Sequence, residues 1–115
     1  MNTKPPECWA SDPNARGVKI ELSLERSLVL PHDQFTFSEL TSDGKEQRLR
    51  LVFATHEVLV RGTCLRRIES AMQREELSLL TRLPEHQKSL VGEGHPVVLQ
   101  ITVSEAGAAA SSVPV

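Results

Sequence analysis

The run LVFATHEVLVRGTC, residues 51–64, brings a His, a Glu, an Arg and one of the two cysteines of this 115-residue chain close together. A thiol with a base in reach is a nucleophile, so Cys64 with His56, and Glu57 beside it, is the first constellation to weigh. Spacing argues against it within one chain. The apolar alternation places His56 at the tip of a hairpin and Cys64 beyond the far end of its second strand. The strand-like residues between them span roughly 20 Å at about 3.3 Å each. Only an oligomer interface, carrying His56 of one chain to Cys64 of another, would assemble that pair.

The other ligand-type residues are Cys8, His32, His86 and His95. None of the six forms the closely spaced Cys or His pairs that fold around zinc, so neither a metal nor another cofactor is expected. GEGHP at 92–96 leads into a strand, the reverse of the loop-to-helix order that cradles a phosphate. Asp33 and Asp43 are turn residues, and Glu75-Glu76 close a helix with no base in view.

The arginines form a different pattern. Between Lys45 and Arg67 stand six basic residues (Lys45, Arg48, Arg50, Arg61, Arg66 and Arg67) against Glu46 and Glu57, in a chain of net charge −2. In the expected hairpin Arg50 falls opposite Arg61 on the solvent face, and like charges opposite each other cost stability. Arg66 and Arg67 fall in the first turn of a helix, the wrong end for cations. Two departures that gather the same charge suggest an anion-facing surface built from Arg48, Arg50, Arg61, Arg66 and Arg67. Solvated arginines neutralised by Glu39, Glu46 or Glu57 are the plainer alternative. With 3% aromatic residues and no Tyr, the chain lacks the stacking faces that single-stranded nucleic acid requires. Any binding to a nucleic-acid backbone would be salt-sensitive and indifferent to sequence. Trp9, the lone tryptophan, lies among prolines and is a candidate docking anchor for a partner.

Several elements must position these side chains. Val18, Ile20, Leu22 and Leu24 alternate with polar residues as a half-buried strand. A turn at Glu25-Arg26 leads to a short strand, Leu28 to Leu30, stopped by Pro31. Phe35 and Phe37 share one side of a third segment, and Asp43-Gly44 supplies a reversal. The hairpin follows, with Phe53 expected to face Val58 and Leu51 to face Val60. From Cys64 the period becomes helical: Leu65, Ile68, Ala71 and Met72 make one stripe, with Thr63 as N-cap. Residues 77–83 read either as more helix or as a strand, with a break near Glu76 favoured. Val97 to Glu105 is the last strand.

The expected fold is α+β: a mostly antiparallel sheet of five to six strands with one principal helix packed on one face. Residues 18–105 form the single domain, between a flexible arm (1–17) and a flexible tail (106–115). A core of that size folds with little stability to spare, which favours self-association. No apolar leader and no membrane-length run is present, and two cysteines give no disulfide framework, so a cytoplasmic protein is expected. The leading functional expectation is a non-enzymatic interaction module acting by self-assembly or by binding another protein. The alternative is anion or nucleic-acid backbone binding through the arginine patch. A small enzyme with a site across an oligomer interface is the third.

Overall fold

A computed structural model describes residues 7–105. These form eight strands and one α-helix: β1 (Trp9–Ser11), β2 (Gly17–Glu21), β3 (Ser27–Pro31), β4 (Phe35–Asp43), β5 (Glu46–Phe53), β6 (His56–Thr63), α1 (Arg66–Gln73), β7 (Leu77–Thr81) and β8 (Val97–Glu105). The fold is α+β and mostly antiparallel, but the strands divide into two four-stranded sheets rather than one sheet of five or six. Sheet A has the order β1-β7-β2-β3 and sheet B the order β4-β5-β6-β8. The pairing of β2 with β7 is parallel.

The division has a local cause. Pro31 cannot donate to a sheet ladder, and it ends β3. A single 3-10 turn, His32–Gln34, then carries the chain from sheet A into sheet B. The other two strands of sheet A come from segments with weak local signals. Trp9–Ser11 belongs to the stretch read as an arm, yet it pairs antiparallel with β7. The adjoining Cys8 is buried. Leu77–Thr81 is a strand, with the helix ending before it. The expected tail, 106–115, lies outside the described residues.

Both sheets turn an apolar face to one core. Val18, Ile20, Leu30, Leu77 and Leu80 come from sheet A, and Leu49, Leu51, Phe53, Val58 and Val60 from sheet B. Leu65, Ile68, Ala71 and Met72 join them from the helical stripe. The helix packs against β4 and β7, bridging the two sheets.

The β5–β6 hairpin forms, with a register two residues away from the expected one. Leu51 faces Val58 and Leu49 faces Val60, so the reversal uses only Ala54 and Thr55. A slip of two keeps every side chain on its own face, which is why the apolar pattern fits both registers and cannot choose between them. The pairing of like charges moves with it: Arg48, not Arg50, stands opposite Arg61, and Arg50 faces Leu59. In β4 the register shifts between Phe35 and Phe37. This bulge sends the two rings to opposite faces, Phe35 against Phe53 with ring centroids 5.5 Å apart and Phe37 out to solvent.

Helix α1 begins later than the sequence suggests. Leu65 is the N-cap and no side chain of its own segment caps it. The cap comes from the neighbouring sheet instead: Leu65 N–H donates to Gln47 Oε1 at 2.7 Å. Thr63 remains in β6, and Cys64 makes the corner with φ 55°. At the other end Glu76 N–H donates to Ala71 O and Glu75 N–H to Met72 O, both at 2.9 Å. That is the paired hydrogen bonding of a Schellman cap, in which the left-handed position is usually glycine. Here Glu75 occupies it at φ 57°. Glu75 and Glu76 therefore lie past the helix rather than in its last turn, and Arg74 is the C-cap.

Candidate functional site

The outer face of sheet B presents a grid of side chains fixed by strand register. Across β4, β5, β6 and β8 one row runs Thr41, Arg48, Arg61, Gln100 and the next runs Glu39, Arg50, Leu59, Thr102. Phe37, Val52, Glu57 and Ser104 make a third. Phe37 and Leu59 are exposed, a modest apolar area within polar surroundings.

Arg50 is held from three sides. Its Nε donates to Glu57 Oε1, its Nη1 lies 3.9 Å from Glu39 Oε1, and its guanidinium sits 5.4 Å from the centroid of the Phe37 ring. The hydrogen bond donated to Glu57 stabilises the charged guanidinium and pushes its pKa above an already high ordinary value. Arg61 pairs with Glu46 at 3.6 Å. Among the described residues no carboxylate makes an ion pair with Arg48, although Arg61 is its cross-strand neighbour. The like-charge contact is thus relieved on one side only. Together with Leu59, Gln100 and Thr102, these two arginines line a shallow depression.

Arg66 and Arg67 are not part of this face. They open α1, and Arg67 turns toward a separate open cleft of about 420 Å³. The cleft draws its walls from three distant pieces of chain: residues 7–11, Arg67, and residues 91, 92, 95 and 96. The five arginines read as one patch are therefore two groups. Trp9, singled out from sequence as an anchor in an arm, lines the same cleft as Arg67 and packs partly against the core. Nothing in their spacing along the chain could show this. The β1–β7 pairing that places Trp9 in sheet A is itself nearly silent in sequence.

Arg67 Nη1 lies 3.4 Å from His95 Nδ1. Arginine only donates, so Nδ1 accepts in this contact. His95 closes a turn in which its N–H donates to Gly92 O at 3.2 Å, with Gly94 at φ +84°. That positive φ at the third turn position is one that glycine takes without strain. GEGHP thus acts as a bracket for His95.

The remaining ligand-type residues stand apart. His56 starts β6, with Nδ1 2.8 Å from Thr55 Oγ1, whereas Cys64 follows the last residue of that strand. Glu57 is engaged with Arg50. His32 is buried, and its ring ties the start of β7 to the β1–β2 connection, with Nε2 2.8 Å from Leu77 O and Nδ1 3.2 Å from Ala15 O. Cys8 is buried and its thiol donates to Pro96 O at 3.4 Å. Burial is the main cause that raises the Cys8 pKa. Among the described residues no three His, Cys, Asp or Glu side chains converge as a metal site, and no helix is long and apolar enough to cross a membrane.

Comparison with protein-family models, with curated proteins and with solved structures finds no match.

Proposed function

We propose that this chain is a non-enzymatic interaction module that self-associates in the cytoplasm through sheet B. The observation that supports this is the state of β8. Among the described residues its only strand partner is β6; Leu83 N–H donates to Val98 O near its start, and from Leu99 onward its single charge is Glu105 at the end. Open edges are ready templates for another strand, and proteins usually blunt them with charges, bulges, prolines or short length. The other edges are treated so. β4 has the Phe35/Phe37 bulge and the charges of Glu39 and Asp43. β1 is three residues long and β3 ends in Pro31.

In β8 the irregularity opposite Arg61 and Gly62 leaves Gln100 to Glu105 in continuous register with β6. A second copy meeting it antiparallel would extend sheet B and continue the apolar inner row of Ile101 and Val103. A two-fold strand pairing is self-complementary in this way. Another protein offering an extended strand is the second type of partner. Two free thiols, one of them exposed, suit a reducing compartment.

Light scattering tests the proposal. The wild-type chain is expected above its 12.7 kDa monomer mass, and Gln100→Lys combined with Thr102→Lys is expected to return it to monomer, because lysine on an edge opposes pairing. A wild-type chain that stays monomeric at high concentration overturns self-association.

The reading as an anion or nucleic-acid backbone binder draws support from Arg48, which has no ion pair among the described residues. It is weakened by Arg50 and Arg61, whose charges are met by Glu57, Glu39 and Glu46. Failure to be retained on heparin at low salt would end it.

A further inference from the structure

We propose that the cleft between β1, the start of α1 and the 92–96 turn binds a small organic anion, a flat ring carrying a phosphate or a carboxylate. This site is separate from the β8 edge and does not depend on the self-association reading.

Three features of the cleft define the ligand class. The first is size: about 420 Å³ lies within the range of small-molecule sites. It is too large for a bare inorganic ion to fill. The second is charge. Arg67 makes no ion pair among the described residues, and its contact with His95 is to a ring nitrogen rather than a carboxylate. Arg67 thus supplies the charge, and His95, whose Nδ1 accepts from Arg67, keeps its Nε2–H as a second donor beside it. The guanidinium fork matches the planar geometry of carboxylate and phosphate oxygens.

The third feature is the apolar part of the lining. Trp9 is half-buried, supported by the core and open to the cleft. An indole held by packing offers a rigid apolar surface at low entropic cost. Val91, Ala10 and Pro96 extend that apolar lining. A ligand with charge at one end and a flat apolar body satisfies both the arginine and the apolar lining. Glu7 is the carboxylate in the lining, and it disfavours anions near its side of the cleft.

The geometry of the turn supports a built site. Gly92 lies so near His95 that a Cβ there would come within 3.0 Å of the ring carbon Cδ2. The imidazole is thus packed over the turn that presents it, and the Cys8 thiol, next to Trp9, donates to Pro96 O of the same turn.

The chain supplies its own reporter. Trp9 is its sole tryptophan and there is no tyrosine, so the emission is local to the cleft. The full chain would be titrated with adenosine 5′-monophosphate against adenosine, and with nicotinate against nicotinamide, with free tryptophan amide correcting for light absorption. The expected result is a saturable change in Trp9 emission with at least one of the two anions and little or none with its uncharged counterpart. Phosphate and carboxylate sources are separated by which pair responds.

Arg67→Ala is expected to weaken binding about tenfold or more, the scale of a charge-assisted hydrogen bond. His95→Ala is expected to weaken it less. Glu7→Gln should tighten it, and Arg66→Ala, an exposed neighbour outside the cleft, should leave it unchanged. Equal responses to charged and uncharged partners overturn the proposal. So does the absence of saturation with both anions, or binding that a folded Arg67→Ala variant retains in full.

Discussion

A Cβ placed on Gly62 would lie 1.9 Å from the carbonyl oxygen of Val97. Strands β6 and β8 therefore approach at this point more closely than any side chain permits. The approach coincides with the irregularity between Arg61 and Gly62, where Gly62 pairs with Val98 and Thr63 with Val97. The neighbouring atoms are backbone, which cannot swing aside as a flexible side chain would.

Gly62→Ala is accordingly expected to destabilise the fold by about 3 kcal/mol or more, at the upper end of overpacking costs, because β8 must shift. Urea unfolding of the variant and the wild type measures this. A loss of less than about 1 kcal/mol would show that β8 yields easily and that the close approach imposes little constraint.

Glu75 holds a left-handed conformation at the end of α1, with φ 57°. A side chain with a Cβ costs roughly 1 kcal/mol there, part of which glycine gives back through its freer unfolded chain. Glu75→Gly should therefore raise stability by about 0.5–1 kcal/mol, whereas Glu75→Ala should bring no such gain. Paired thermal and urea melts decide it. A glycine variant less stable than the alanine variant would contradict the strain argument.

Cys8 gives a pH dependence whose sign follows from burial. Its pKa is raised in the fold above the ordinary value of 9.0, chiefly by desolvation of the thiolate. The unfolded chain releases the proton first as pH rises, so above that value the folded state binds more protons and loses stability. The contribution is fully present below pH 9.0 and declines as pH climbs toward the folded value. Comparing urea midpoints at about pH 8 and about pH 10, the wild type should lose more than Cys8→Ala does. Equal losses in the two proteins would remove Cys8 as the cause. The same burial makes a labelling prediction: a thiol reagent near neutral pH should modify exposed Cys64 well before buried Cys8.

Two kinds of information separate cleanly in this protein. Local periodicity in the sequence identifies most inward-facing residues, although Leu24, in the same alternation as Val18 and Ile20, lies beyond the end of β2 and is exposed. Val18 and Ile20, Leu49, Leu51 and Phe53 in β5, Val58 and Val60 in β6, and Leu65, Ile68, Ala71 and Met72 are all buried as their spacing requires. Such patterns hold because apolar burial selects one face of a strand or helix whatever the rest of the chain does.

Tertiary structure decided everything that depends on which segments meet. The hairpin register is a case in point, since a shift of two residues leaves the facing pattern intact and only the tight Ala54-Thr55 reversal chooses between registers. The division into two sheets rests on a turn after Pro31, and the short β1 exists only because β7 is there to receive it. The cap of α1 comes from Gln47 on β5, which no reading of the helix's own segment could find. For the same reason the arginines that look like one patch separate into the sheet B face and the start of α1. Arg67, Trp9 and His95 are far apart along the chain, and only the closed fold brings them to one cleft. Contact between distant residues is a property of the closed fold, and no local pattern encodes it.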